Sequence, residues 1–278
     1  MKLSVMLMSF SRDIRSGRTT MEDMIAYCGE LGLDGVEIAN REIASMSDDQ
    51  VRDLLGRHGL ELACYIVVTD FVCQDQETLS QAIDKTNQEI YRAARLGCKT
   101  VMIVPGDPKP EISHEKGRQM IAVGLQACAL HGQEHGVTVT NENYGMAVEF
   151  RGRIGHMQEF LENAPACRLT YDGGNFLLGG EDPLEALDIL YDDVRHVHLK
   201  DWVVVDQQEG GRFPVPDQPG RFYKSAIVSE GVMPTAATVA ALKERGYQGF
   251  LSIEHGGGIP GKEGLTKAFH SLKRWLDE

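Results

Sequence analysis

Residues 137–142 read VTVTNE, so Val137 and Val139 alternate with Thr138 and Thr140 before the run closes on Glu142. Period-two alternation of β-branched residues predicts a strand with one apolar and one polar face. The same phase recurs in three later runs. RLTYD (168–172) sets Thr170 and Asp172 against Leu169 and Tyr171. RHVHLKD (195–201) sets His196, His198 and Lys200 against Val197 and Leu199. FLSIE (250–254) sets Ser252 and Glu254 against Leu251 and Ile253. An apolar face must be covered by a helix layer, so the polar phase of all four strands points into the space they enclose.

Outward from these runs, strand and helix patterns alternate along the whole chain. Strands are expected near 2–8, 34–39, 61–68, 100–104, 137–142, 168–173, 194–200 and 249–254. Helices are expected near 20–31, 48–58, 77–96, 115–135, 155–163, 183–191, 235–245 and 263–276. Thr19 with Glu22, and Ser47 with Gln50, have capping-box spacing. Gly32, Gly59, Gly97 and Gly136 stand where helices end, as left-handed caps require. Eight such units predict the α/β class and a single (β/α)8 TIM barrel rather than an open sheet. The expectation is one domain, 1–278. The one compositional break is 203–234, which contains DQQEGGRFPVPDQPGRFYK after the seventh strand. A loop of that length is expected to lie over the C-terminal mouth, as a lid or substrate-binding segment.

The formal net charge is −13. That balance repels a phosphate backbone, so nucleic acid is not an expected partner. No run approaches the roughly 20 apolar residues of a membrane span, and MKLSVMLMSF lacks a signal-peptide core, so no membrane partner is expected. The six cysteines form no C-x-x-C or zinc-finger spacing. A reduced, cytoplasmic setting is the simplest reading.

Glu142, Asp172, His198 and Glu254 are the polar-phase residues nearest the C-terminal strand ends, where barrel active sites lie. Three carboxylates and one imidazole suit one divalent metal, Mn²⁺, Mg²⁺ or Co²⁺, with Zn²⁺ a further candidate. A lone acid at a strand end is more often a solvated turn residue or an N-cap. Four in one phase on consecutive strands are not explained that way.

The strings NENYG (141–145), YDGGNF (171–176), HVHLKD (196–201) and LSIEH (251–255) resemble motifs of the xylose isomerase-like barrels, the sugar phosphate isomerase/epimerase group. LGLDGVEIAN (31–40) and SEGVMP (229–234) extend the resemblance over nearly the whole chain. It implies that Glu142, Asp172, His198 and Glu254 hold one divalent metal and that Glu142 and Glu254 are also the catalytic acid/base pair. Self-association into dimers or tetramers is implied as well. One position departs. Epimerase members often carry His three residues after the sixth-strand Asp, and here Asn175 stands there. Asn can hydrogen-bond a hydroxyl but does not titrate near neutrality. That leaves the metal set intact, puts the particular substrate in question and weakens the match to the multi-metal endonuclease branch.

The expected activity is sugar isomerisation or epimerisation by proton transfer through a metal-bound enediolate. The alternative is a lyase that dehydrates a keto-sugar, keto-inositol or dehydroshikimate-like acid, because both reactions begin with the same proton abstraction. A repair nuclease and a non-catalytic sugar-binding barrel are weaker readings. Lys200, Arg212 and Arg221 are candidate substrate-binding residues, with Asn175; Lys224 is a further loop cation. For each loop cation a solvated charge is the simpler account, and a Schiff-base role for Lys200 competes poorly with the metal set. Glu37 is expected to meet substrate or a barrel lysine. His196 is expected to pack in the barrel or support His198. Trp202 is expected to cap the core or stack on a sugar. Two motifs are discounted. His131, Glu134 and His135 spell H-x-x-E-H at a helix end facing away from the mouth, and Gly256, Gly258 and Gly261 spell G-x-G-x-x-G with too little chain after it for a dinucleotide fold.

Overall fold

The computed structural model describes residues 1–256 and 258–278. Seven barrel strands come first: β1 (Lys2–Met6), β2 (Gly35–Ala39), β3 (Glu61–Val68), β4 (Thr100–Val104), β5 (Thr138–Glu142), β6 (Arg168–Asp172) and β7 (Val194–Leu199). Three strands follow outside the barrel, β8 (Asp201–Asp206), β9 (Phe213–Pro214) and β10 (Arg221–Ala226), and then β11 (Phe250–Ile253) closes it. The closed order is β1-β11-β7-β6-β5-β4-β3-β2, with every neighbouring pair parallel. This is the expected (β/α)8 barrel.

Local chemistry sets the element ends. Gly32, Gly59, Gly97 and Gly136 take φ of 92°, 67°, 81° and 68°, which a side chain would disfavour. Ser47 and Gln50 form the expected capping box, at 3.2 and 2.8 Å. The other box is shifted by one residue. The cap is Thr20, whose Oγ1 accepts from the Asp23 N–H at 3.0 Å while Asp23 accepts the Thr20 N–H at 3.1 Å. Two adjacent threonines, each followed three residues on by an acid, made the register ambiguous. β1 ends at Met6 rather than residue 8, because Leu7–Phe10 turns into a 3-10 helix.

The outward phase behaves as the alternation requires. Val139, Leu169, Tyr171, Val197, Leu199, Leu251 and Ile253 all join the core between sheet and helices. The inward phase is divided. β5, β6, β7 and β11 direct Thr140, Thr170, His196, His198 and Ser252 inward, whereas Met6, Ala39, Cys64, Ile66 and Met102 form a separate apolar cluster with Met8 and Val104. Thus the lumen has a polar wall and an apolar wall.

The 203–234 segment is not an irregular loop. β8, β10 and β9 pair antiparallel as a small sheet, and Trp202, Val215 and Tyr223 pack with Leu178 beneath it. Trp202 is buried there, donating its indole N–H to the Gly174 carbonyl at 2.9 Å, which settles its packing role. Asp201 fastens the following turn. Its buried carboxylate accepts N–H groups from Trp202 at 2.8 Å and from Ser229, Gly231 and Met233 at 3.0 Å each. A Cβ at residue 231 would lie 2.2 Å from Asp201 Oδ1, so that approach demands glycine. Asp201→Ala would strand four donors, and urea denaturation should register a loss of about 3 kcal/mol. An unchanged unfolding midpoint would contradict this account of the turn. Among the described residues, no helix is long and apolar enough to cross a membrane.

Candidate metal centre

Glu142, Asp172, His198 and Glu254 sit at the C-terminal ends of β5, β6, β7 and β11, four neighbouring strands of the barrel. Their ligand atoms all lie within 4.8 Å of one another. His198 Nδ1 is 2.6 Å from Glu142 Oε1 and 3.2 Å from Glu254 Oε2. Lys200 Nζ is 2.8 Å from Asp172 Oδ2, 2.9 Å from Glu254 Oε1 and 3.2 Å from Asn175 Oδ1.

Burial and crowding perturb Asp172, Glu254 and His198. Burial, with Glu142 and Glu254 adding to it, pushes the Asp172 carboxyl up to about 6 against the pull of Lys200. Burial also opposes the charged form of Glu254, but Lys200 and His198 outweigh it and bring that carboxyl down to about 2. For His198 burial favours the neutral ring, and the Glu37 and Glu142 carboxylates overcome it, so the ring is held well above the ordinary range. Such a nest of negative charge favours a cation.

The donor set fits a divalent metal. Asp172 Oδ2 and Glu254 Oε2 are buried and accept no well-formed hydrogen bond, although Lys200 and His198 respectively lie close by. Three oxygens and one nitrogen form the mixed set that Mn²⁺, Co²⁺ or Zn²⁺ accepts. His198 Nε2 lies 3.1 Å from Glu37 Oε2. With a metal among the three carboxylates, keeping the ring proton on Nε2 opposite Glu37 would leave the Nδ1 lone pair to ligate it.

That contact corrects the expectation for Glu37. This fully buried residue meets neither a lysine nor open solvent; it bridges His198 and His196, the latter at 2.7 Å. Burial opposes its charge, yet the two imidazoles hold it well below the usual carboxylate range. His196 therefore packs in the barrel and bonds to Glu37, and Glu37 orients His198. Glu37→Gln should weaken metal affinity 10- to 100-fold in a chelator-competition titration. Equal affinity in the two proteins would remove Glu37 from the site.

Asn175 is tied into the scaffold. Its N–H donates to Asp172 Oδ1 at 3.0 Å and its side-chain amide to the Asn143 carbonyl at 2.9 Å. The structure does not bring Arg212 or Arg221 to the cluster. Arg212 lies over the Phe213 ring and approaches Met146 Sδ at 3.9 Å. Arg221 donates to the Val204 carbonyl and faces Asp206 within the small sheet. Lys224 donates to the Glu209 carbonyl. The G-x-G-x-x-G run includes position 257, which lies outside the described residues.

Two supporting residues carried no recognisable signal. Asn143 holds Asp172 by both backbone groups, accepting its N–H at 3.1 Å and donating to its carbonyl at 2.9 Å. Arg151, 2% exposed, lies over the Tyr144 ring at 4.3 Å and donates to the Glu142 carbonyl at 3.4 Å. Nothing in NEN (141–143) sets Asn143 apart from Asn141, and nothing in FRGRIG (150–155) sets Arg151 apart from Arg153.

The (β/α)8 barrel thus carries, at the ends of four adjacent strands, three carboxylates and an imidazole that could hold a metal ion. The profile of the family described as "Xylose isomerase-like TIM barrel" matches residues 25–275, and the chain belongs to that family. An inosose dehydratase of Geobacillus kaustophilus (strain HTA426) is 25% identical over 254 residues, 84% of this chain and 80% of that one. Among solved structures, D-allulose 3-epimerase from Methylomonas sp. in complex with D-allulose aligns with a TM-score of 0.77 at 16% identity, over 99% of this chain and 96% of that one. IolI protein with a binding zinc atom aligns with a TM-score of 0.73 at 17% identity, over 99% and 98%. At such identity the two structures speak for the fold alone.

Proposed function

We propose that the protein is a divalent-metal-dependent lyase that removes water from a cyclic polyhydroxy ketone of the keto-inositol type. The observation that carries this reading is Lys200, whose ammonium sits 2.8 Å from Asp172 and 2.9 Å from Glu254. Elimination needs a base for the C–H beside the carbonyl and an acid for the departing hydroxyl; epimerisation needs its base and its acid on opposite faces of one carbon. Burial opposes the charge on Lys200, but Asp172 and Glu254 beside it outweigh burial and raise its pKa above the ordinary lysine value. The inosose dehydratase relative supports the same choice.

Glu142, Asp172, His198 and Glu254 would hold the metal. Bound there, a divalent cation supplies Lewis-acid polarisation of the ketone and stabilises the charge that develops as its neighbouring C–H ionises. Glu142 or Glu254 takes that proton. The electron pair left on carbon forms the double bond as the C–O bond beyond it breaks. Lys200 gives its proton to the leaving hydroxyl, which departs as water. The apolar wall of Met8, Ile66, Met102 and Val104 suits the C–H face of an unphosphorylated ring.

The small sheet would shape the approach. Phe213 and Pro214 line a cavity of about 620 Å³ with Asp107, Tyr144, Met146 and Leu178, and Tyr144 is two residues beyond Glu142. We assign 203–234 to substrate enclosure on that basis, with Arg212 at its edge.

A second reading, epimerisation or isomerisation, draws on one feature: Glu142 and Glu254 both reach the same His198 nitrogen, as an acid/base pair across one substrate would. NMR of turnover in D₂O with a keto-inositol separates the two. A dehydrated product supports the lyase. Deuterium at one carbon, with water retained, overturns it in favour of the epimerase.

A further inference from the structure

We infer that the chain carries a second metal site, at the far end of the helix His114–Glu134, for a borderline transition dication such as Ni²⁺, Cu²⁺ or Zn²⁺. The donors are His131, Glu134 and His135, each of which offers a ligand atom within 4.8 Å of the others. The His131 and His135 rings are 4.6 Å apart, and His131 Nδ1 is 3.9 Å from Glu134 Oε2. Ligand atoms around a tetrahedral zinc stand about 3.3 Å apart, given metal–ligand distances near 2.0–2.1 Å. Closing the remaining gap takes only side-chain rotation, because Glu134 is exposed and both imidazoles are partly so.

Three features favour a cation here. His131 and Glu134 fall in the last helical turn, where unpaired carbonyls carry partial negative charge, and His135 is the C-cap. The Tyr91 ring packs on His135 at 5.0 Å, which restrains that imidazole. The two-nitrogen, one-oxygen donor set also differs in kind from the mouth. Two imidazoles select Ni²⁺, Cu²⁺ or Zn²⁺ over Mg²⁺ and Mn²⁺, whereas three carboxylates tolerate the harder ions. The open coordination position faces solvent, so water completes the sphere. The bound ion would tie the last helical turn to its C-cap residue, His135.

Equilibrium dialysis of the whole protein against Ni²⁺ alone, followed by metal analysis, tests this. Wild type should retain about one equivalent per chain more than the His131→Gln/His135→Gln variant. With Mg²⁺ in place of Ni²⁺ the two proteins should match. The variant's turnover should equal that of wild type, since neither residue approaches the mouth. Equal Ni²⁺ content in the two proteins overturns the site. A second measurement covers a poorly folding double variant: Glu134→Gln should weaken the extra Ni²⁺ binding several-fold, and unchanged binding there also counts against it. The comparison is between variants, so it stands whether or not the mouth site behaves as proposed.

Discussion

Glu142→Gln should lower kcat/KM on the best keto-polyol substrate by about 10³-fold, in the range that loss of a positioned general base produces. Steady-state kinetics with metal at saturation measure it. The substitution keeps the shape of the side chain and removes its charge and its basicity. It also alters the 2.6 Å contact with His198, so metal content must be determined on the same sample. A variant that keeps its metal and loses its rate places the proton transfer on Glu142. A variant that turns over within a few-fold of wild type removes Glu142 from the proton transfer and leaves that role to Glu254.

Stripping the metal with a chelator, then removing the chelator, should lower turnover by about 10³-fold, equivalent to about 4 kcal/mol of lost charge stabilisation. Mn²⁺ or Co²⁺ should restore it. The fold should survive, because Lys200 and His198 lie among the carboxylates and compensate part of their repulsion. Circular dichroism of the stripped protein checks that clause. Full activity after stripping would end the metal-dependent reading.

Much of the barrel was legible because its information is local. Alternation along β5, β6, β7 and β11 fixed which side chains face inward, and that parity, with position at the C-terminal strand ends, picked out Glu142, Asp172, His198 and Glu254. Ser47, Gly32 and Gly136 marked boundaries by chemistry acting over a few residues. What stayed hidden depends on neighbours distant in the chain. Glu37 and His196 are 159 positions apart, and only barrel closure brings them to 2.7 Å. Residues 203–234 look like a loop because Gly, Pro and charge dominate them, yet β8 and β10 pair from Asp201 with Ala226 to Asp206 with Arg221. Pairing of that kind is decided by cross-strand contacts rather than by local propensity. Arg151 lies against the C-terminal end of β5, at the Glu142 carbonyl, a position its own sequence neighbourhood does not encode.

The divided lumen bears on stereochemistry. A flat ring lying between a hydrophilic wall and an oily one can settle one way up, because turning it over would press its hydroxyls against Met102 and Ile66. On the proposed lyase reading, docking orientation would then choose which of two mirror-related hydrogens meets the base, before any bond begins to break.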